Sequence, residues 1–379
     1  MRVLFPLLIT GLFLFETPLL SGELSYTHFE KTQETSSVTV KGGGLLHTKL
    51  LSTADEQKIE PAFLNLTQQL EDLARSHKTT IAKIAKLNLY LNTEAPSELD
   101  ELRALVLSHW EDGKAPALTL IPSRLPDGNR LAADAVIAIS EPTRETAALS
   151  PADGFASLER DIIYVSGRAA SGELAPATAQ TMVQIFETLA HLELRPQDIV
   201  QVKAFIQPVD QWKLVEKEII DSFDGNPPPI VYAEWTSGSR ATEIEVIASA
   251  PDRVKDKGPI SYFTPPEDKK SPVYSRVATI HSDEVIFFSG HHSSGSEDEA
   301  AALFAQLKRT AMATGTNLRH FAKATYYVTT PEASASLNAV RPGHYDPERP
   351  PAASKVMIRS LGEGDTQLLI DMIAAPVGQ

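Results

Sequence analysis

The chain has 379 residues, with 35 Lys and Arg against 49 Asp and Glu, a net charge of −14 and no cysteine. The acidic balance argues against nucleic acid as a partner, because that affinity rests on Lys and Arg neutralising phosphates, and the missing cysteines exclude disulfides, thiolate nucleophiles, Cys-ligated zinc and iron–sulfur clusters. At 42% hydrophobic and 22% charged residues it reads as an ordinary soluble globular chain of two or three domains.

The first element is Arg2 followed by the apolar run Val3 to Ile9, then Leu12 to Phe15 and the small residues Ser21 and Gly22. A short positive end, an apolar stretch and small residues describe a secretory signal peptide, here over 1–22, although Leu20 stands where a small residue is preferred. An uncleaved anchor, opposed by Glu16 and Pro18, and a buried first helix are the alternatives. The signal reading predicts an exported protein, periplasmic or extracellular. No later stretch reaches the roughly 18 apolar residues of a membrane span, so no membrane contact is expected after cleavage.

Beyond the N-terminus one pattern recurs three times. Each copy opens with a strand that runs into glycine: Val38-Thr39-Val40-Lys41-Gly42, Tyr164-Val165-Ser166-Gly167 and Phe287-Phe288-Ser289-Gly290. A helix follows, with apolar residues at helical spacing: Phe63, Leu66, Leu70 and Leu73; Met182, Ile185 and Leu189; Leu303 and Leu307. Next comes an alternating strand carrying a lysine, at Lys86, Lys203 and Lys323. Second helices are expected near 97–110, 210–222 and 331–341. Prolines then introduce another strand at Ala115-Pro116-Ala117, Pro227-Pro228-Pro229 and Pro350-Pro351-Ala352. Each copy closes on an acid and an apolar run at Asp134, Glu245 and Asp371.

The spacing tests the repeat. Gly42, Gly167 and Gly290 follow one another at 125 and 123 residues, Lys86, Lys203 and Lys323 at 117 and 120, and Asp134, Glu245 and Asp371 at 111 and 126. Landmarks in one order at near-constant spacing mark tandem copies, placed at 36–140, 155–250 and 272–376. The joins at 140–155 and 250–272 are rich in Pro, Asp, Ser and Lys, as linkers are. Each copy reads strand–strand–helix–strand–helix–strand–strand, an α/β (α+β) plan with helices on one face of a sheet. The bare face must be buried. Three equivalent faces in one chain suggest closure around a pseudo-threefold axis, and hence a monomer, where separate chains would make a trimer.

In these residues the chain resembles the Rid superfamily (reactive intermediate deaminase, YjgF, endoribonuclease L-PSP-like). The resemblance rests on Tyr-Val-Ser-Gly before the helix, Val202-Lys203-Ala204-Phe205 on the middle strand, and Glu243-Ile244-Glu245-Val246-Ile247-Ala248 at the close. The opening Pro272-Val273-Tyr274-Ser275 of the third copy adds to it. It covers about 36–376. It implies three chorismate-mutase-like modules joined as an intramolecular pseudo-trimer, with ligand pockets between neighbours. Deaminating members hydrolyse enamines and imines. The resemblance implies an Arg after the proline motif to grip a substrate carboxylate, and a Glu at the first acidic position of the closing motif to place water. A planar guanidinium suits a carboxylate, and attack by water needs a positioned base.

The sequence departs from that pattern at both points. The Arg position holds Ala117 or Leu118, Pro229 or Ile230, and Ala353. The Glu position holds Ala132 in the first copy, Glu243 in the second, and Leu369 or Ile370 in the third. The third copy keeps Tyr274, Ser289, Gly290 and Asn338 where the family lines its pocket. Lys355, two residues after the lost Arg position, shares a strand face with it. The expected ligand site is therefore Tyr274, Ser289, Gly290, Asn338 and Lys355 in one cavity, with Glu243 as the catalytic candidate. The expected ligand is a small carboxylate. His291 and His292 point opposite ways on a strand and make a poor metal pair, so no metal is expected. Nor is a cofactor, since neither a P-loop nor a dinucleotide fingerprint occurs. Arg168 is a possible anion contact, and Trp110, Trp212 and Trp235 read as packing residues. The functional expectation is a small-molecule-binding or structural protein with eroded deaminase sites. The alternative is an enamine or imine hydrolase working through one residual pocket.

Overall fold

The computed structural model describes residues 22–377 except 30–31, 33, 54–55, 112, 141–153, 237–238, 252–257, 293–297 and 363–364. The expected signal segment, Gly22 aside, lies outside the described residues. In chain order the strands Glu23–His28 (β1), Thr35–Lys41 (β2), Gly44–His47 (β3) and Leu51–Ser52 (β4) precede helix Ile59–Ser76 (α1). Strand Ile84–Leu91 (β5), helix Pro96–His109 (α2) and strands Ala117–Pro122 (β6) and Leu131–Ile139 (β7) follow. The next segment runs Gly154–Ser157 (β8), Ile162–Arg168 (β9), helix Leu174–Ala190 (α3), Ile199–Ile206 (β10), helix Trp212–Ser222 (α4), Ile230–Glu234 (β11) and Thr242–Ser249 (β12). The last runs Ile260–Phe263 (β13), Val277–Ile280 (β14), Glu284–Phe288 (β15), His291–His292 (β16), helix Glu299–Ala313 (α5), Phe321–Val328 (β17), helix Pro331–Val340 (α6), Ala352–Met357 (β18) and Leu368–Ala374 (β19).

These strands form three sheets. The first has the order β6-β5-β7-β3-β8 with β4 beside β7, the second β11-β10-β12-β9-β14-β13, and the third β1-β2-β15-β19-β17-β18 with β16 beside β19. In each, a parallel pair (β5/β6, β10/β11, β17/β18) is followed by an antiparallel closing strand and then by the strand that leads toward the first helix. The next strand belongs elsewhere in the sequence. Strand β8 directly precedes β9 in the chain but pairs with β3, β14 precedes β15 but pairs with β9, and β2 precedes β3 but pairs with β15. Each opening strand thus crosses to the neighbouring sheet, and the three crossings close a ring. At the β2–β3 corner the chain reverses through Gly42 and Gly43, both left-handed at φ 65° and 69°. A Cβ at Gly43 would lie 2.6 Å from the Ile139 carbonyl oxygen, so only glycine fits that corner.

The helices cover the outer faces. In α1, Ala62, Phe63, Leu66, Leu70 and Ala74 recur at spacings of one to four residues and are buried against the sheet. Burying each large side chain contributes about 1.5–3 kcal/mol. Helix α6 starts at Thr330, whose hydroxyl accepts from the Ala333 N–H at 3.1 Å, with Pro331 in its first turn. It ends before Arg341-Pro342, because proline cannot continue the ladder.

The middle strands β5, β10 and β17 are buried along their whole length. Each carries a bulge at the same step, between Ile84 and Lys86, Ile199 and Gln201, and Phe321 and Lys323. The extra residue turns two successive side chains inward, and these bulges recur at 115 and 122 residues. They correct two landmarks. Lys86 and Lys323 are equivalent, but their counterpart is Gln201; Lys203 sits two residues later, level with Asn88 and Thr325. Gly42 is not the counterpart of Gly167 and Gly290 either, since Val38–Lys41 belongs to the exchanged strand β2. Leu50 occupies that place.

The inner faces of the three sheets meet around a shared core. One apolar cluster there joins Val38, Ala85, Tyr164, Val200, Phe287 and Ala322; another joins Tyr90, Phe205 and Tyr327 with Ile121, Val231 and Val356. All three sheets contribute to both. No helix among the described residues is long and apolar enough to cross a membrane.

Candidate functional site

Where two inner faces meet, a polar layer lines each seam. At the seam of the third and first sheets, Lys86 Nζ donates to Asp371 Oδ1 at 2.8 Å, Thr119 Oγ1 at 2.6 Å and the Phe288 carbonyl at 2.7 Å. At the second–third seam, Lys323 pairs with Glu245, which also accepts from the Ser354 hydroxyl. At the first–second seam, Asp134 accepts from Tyr90 at 2.5 Å and Asn88 at 2.9 Å and lies 3.7 Å from Lys203. The three closing acids therefore all lie at seams. Burial pulls the Lys86 pKa down, and the Asp371 charge opposes that shift.

Two residues before each closing acid, strand parity puts another side chain on the same face. It is Ala132 on β7, Leu369 on β19 and Glu243 on β12. A Cβ placed on Gly167 would lie 2.1 Å from Glu243 Oε1, and one on Gly290 would lie 2.9 Å from Leu369 Cδ1. The two side chains thus lie over equivalent glycines, and of the three positions only that of Glu243 can ionise. Burial raises its pKa to about 7; Glu245 adds to the rise, while Ser354, Lys323 and Arg276 oppose it. Arg276 donates to Ser166 Oγ and the Gly167 carbonyl, both at 3.0 Å, and is anchored by Asp268 at 2.8 Å. Its guanidinium lies over the Tyr274 ring, 5.5 Å from the centroid.

On the outer side of β18, Lys355 Nζ donates to Asn338 Oδ1 at 3.1 Å, and Arg341 donates to the same oxygen. Both cations are thus within about 6 Å of each other. At an effective dielectric of about 20, unit charges so placed repel by about 3 kcal/mol. Burial lowers the Lys355 pKa; Arg341 lowers it further and Glu243 opposes. Arg341 is 6% exposed and lies over the Tyr326 ring at 4.8 Å.

The expected site residues separate into two groups. Glu243, Asn338 and Lys355 gather at the second–third seam, with Tyr274 behind Arg276. Ser289 and Gly290 do not join them. The Ser289 hydroxyl donates to the Thr35 carbonyl at 2.7 Å and accepts from the Leu118 N–H at 3.0 Å, and the Gly290 N–H donates to the Leu118 carbonyl at 2.8 Å. One segment faces two neighbours: the end of β15 meets β6, whereas β18 borders the second sheet. Residues from a single segment therefore cannot all line one pocket. The Leu50 N–H makes the matching bond to the Ile230 carbonyl at 3.0 Å. No such bond joins Gly167 to Ala353 among the described residues.

Nor do the principal clefts follow the expected lining. The largest of four, about 330 Å³, lies at the first–second seam among Leu50, Trp212, Pro228 and Tyr232. Tyr274 lines one of about 190 Å³ with Tyr262, Lys270 and Glu348. Gly290 lines two crevices of about 30 and 20 Å³, and Ser289 lines the smaller. Asn338 and Lys355 line none of the four. His291 is buried between the Ser289 carbonyl at 2.7 Å and Thr310 Oγ1 at 3.0 Å, and burial lowers its pKa to about 4. Arg168 is engaged by Asp268 at 2.7 Å. Trp110 and Trp235 are buried.

Three relevant groups had weak sequence signals. Arg276 directly follows the Pro-Val-Tyr-Ser opening, Ser354 adjoins Lys355, and Arg341 falls in an Arg-Pro-Gly turn outside any strand pattern. A nucleophile-like trio was also missed. Ser261 Oγ is 2.7 Å from His281 Nε2, and His281 Nδ1 is 2.9 Å from Asp161 Oδ1, at ion-pair distance but without hydrogen-bond alignment. Neither Ser261 nor His281 lines a principal cleft.

No protein-family model matches the chain. No curated protein matches it either. Among solved structures, it is similar to a YjgF-family protein from Neisseria meningitidis, at 24% identity over 32% of this chain and 97% of that one, TM-score 0.25. It is also similar to RidA from an Antarctic Psychrobacter (23% identity, 24% and 80% coverage, TM-score 0.22) and to a putative endoribonuclease from Thermotoga maritima (24%, 25% and 80%, TM-score 0.23). Several of the solved structures similar to this mixed α/β chain are YjgF or Rid structures, each match covering a quarter to a third of it.

Proposed function

We propose that the chain is three tandem Rid-like modules closed into an intramolecular pseudo-trimer. In this reading two seams have lost their site, and the second–third seam binds a small ligand bearing an anionic group. The ring of exchanged strands, the matching bulges and the shared core support the architecture. In this reading the modules run near 36–140, 155–250 and 272–376, and each lends its opening strand to a neighbour. The observation that carries the function is the chemistry of the three equivalent positions. Ala132 and Leu369 are inert, whereas Glu243 is ionisable and lies near Arg276, Ser354 and Lys355. The protein is taken as a monomer that is exported; export rests on the sequence of residues 1–22 alone, and N-terminal sequencing of secreted material tests it.

The test is a thermal-shift screen of small carboxylates on the purified protein, followed by Lys355→Ala. A lost charge-assisted hydrogen bond is worth roughly 1.5–3 kcal/mol, so the variant should bind about 10–150-fold more weakly. Unchanged affinity removes Lys355 from the site. A second reading, hydrolysis of an imine or enamine, is favoured by one observation. Burial holds Glu243 near neutrality, where a carboxylate is suited to take a proton from water. Hydrolysis lost in Glu243→Gln while ligand binding persists would favour it over binding alone.

A further inference from the structure

We propose that Arg341 and Lys355 together form an anion subsite that takes the carboxylate of a small organic acid. The inference rests on the reading of the second–third seam as a ligand site and supplies the guanidinium that Ala353 lacks. It comes from the end of helix α6 rather than from the strand.

Both cations converge on one neutral amide oxygen, Asn338 Oδ1. An amide oxygen accepts hydrogen bonds but neutralises no charge. Among the described residues no carboxylate comes within 4.0 Å of either cation. Of the acids at this seam, Glu245 pairs with Lys323, while Glu243 acts on Lys355 only from beyond ion-pair distance. Arg341 is 6% exposed, and its Nε–H has no partner. A buried guanidinium is ordinarily matched by an anion, because burying an uncompensated charge is costly. Here the Tyr326 face, 4.8 Å away, supplies a quadrupole, and its hydroxyl, bonded to Tyr345 at 2.6 Å, interacts with Arg341 as a neutral group, so neither brings a negative charge.

The chemistry points to a carboxylate. A guanidinium offers a planar fork that fits two carboxylate oxygens, and an ammonium adds a mobile point charge. Asn338 is exposed and Lys355 half-buried, so the subsite opens to solvent beside them. Glu243 lies close enough to act on the charge of Lys355. With Glu243 ionised, two cations and one carboxylate leave one net positive charge, which matches a monoanion better than a phosphate dianion.

Titration calorimetry of the whole mature chain with propionate, pyruvate and inorganic phosphate tests this in the wild type, Arg341→Gln, Arg341→Lys and Lys355→Ala. Propionate or pyruvate should bind the wild type more tightly than phosphate. Arg341→Gln should weaken them at least 10-fold, and Arg341→Lys less. Thermal melting of the unliganded variants separates binding from folding. If Arg341→Gln unfolds, Arg341→Lys, which keeps the charge and loses the fork, must still bind more weakly than wild type. Wild-type affinity in a folded Arg341→Gln or Arg341→Lys overturns the assignment, and a simultaneous loss in Lys355→Ala would leave the seam reading standing. Tighter binding of phosphate overturns the ligand class. No binding of any probe by the wild type overturns the subsite, while the broader screen still decides the seam reading.

Discussion

Glu243 shows how one position can separate three equivalent seams. Ala132, Glu243 and Leu369 occupy the same step on their strands, yet only the glutamate has a proton to exchange. Its pKa rises from the ordinary 4.5 to about 7, through burial first and the Glu245 charge second. Between those values the folded chain holds a proton that the unfolded chain has released. Stability contributed at this site is therefore present below pH 4.5 and is lost as pH rises through 7. Glu243→Gln should remove that slope. In denaturant titrations, the variant should gain on the wild type from pH 5 to pH 8, by at most about 3 kcal/mol at 1.36 kcal/mol per pKa unit. A constant difference across that range would show that Glu243 titrates normally. A lysine or arginine moving onto Glu243 would give that result.

At the scale of elements, the middle strands bear the seams. Lys86 is 3% exposed and donates to Asp371, Thr119 and the Phe288 carbonyl, so one side chain ties β5 to β19, β6 and β15. Removing one partner of a buried pair leaves a stranded charge. Lys86→Ala or Asp371→Ala should thus each destabilise by about 3–5 kcal/mol. The double variant Lys86→Met, Asp371→Leu should cost much less than the sum, because no charge remains uncompensated; chemical denaturation measures both. The acids of these pairs were legible in the sequence, since Asp134, Glu245 and Asp371 each sit in an apolar closing run and all lie at seams. The lysines were legible only in part. A bulge breaks the period of two, so Lys203 reads as the partner of Lys86 although Gln201 holds that place. The Gly42 landmark failed for another reason: an extended run ending in glycine looks the same in an opening strand as in the strand after it. Asn338 was legible only through the family resemblance, and Lys355 through strand parity with the Arg position that the resemblance implies. Their separation from Ser289 was not legible, because it depends on which neighbour each strand end meets. Arg341 was hidden in a turn with no periodic signal, and packing against Tyr326 with a shared hydrogen bond to Asn338 brings it to Lys355.

At the scale of the whole molecule, the exchanged strands decide how the protein unfolds. Strand β2 completes the third sheet, β8 the first and β14 the second. No segment can leave the ring without stripping a strand from a neighbour and exposing its own inner face. The shared core adds to this coupling, since Tyr90, Phe205 and Tyr327 come from three different sheets and are all buried in one cluster. A string of independent domains would melt in steps, whereas a cooperative body melts once, with calorimetric and van't Hoff enthalpies equal. The expectation for this chain is a single calorimetric transition. If the chain is the proposed monomer, its midpoint should not depend on protein concentration; a midpoint that rises with concentration would reveal subunit association and overturn that reading. Phe63→Ala, on the face of α1 buried against the outer side of the first sheet, is the informative perturbation. The cavity should cost about 3–5 kcal/mol and lower the single transition as a whole. If it instead splits off an early transition for the first sheet, the coupling through the exchanged strands is weaker than their pairing implies, and the ring is three domains in contact rather than one body.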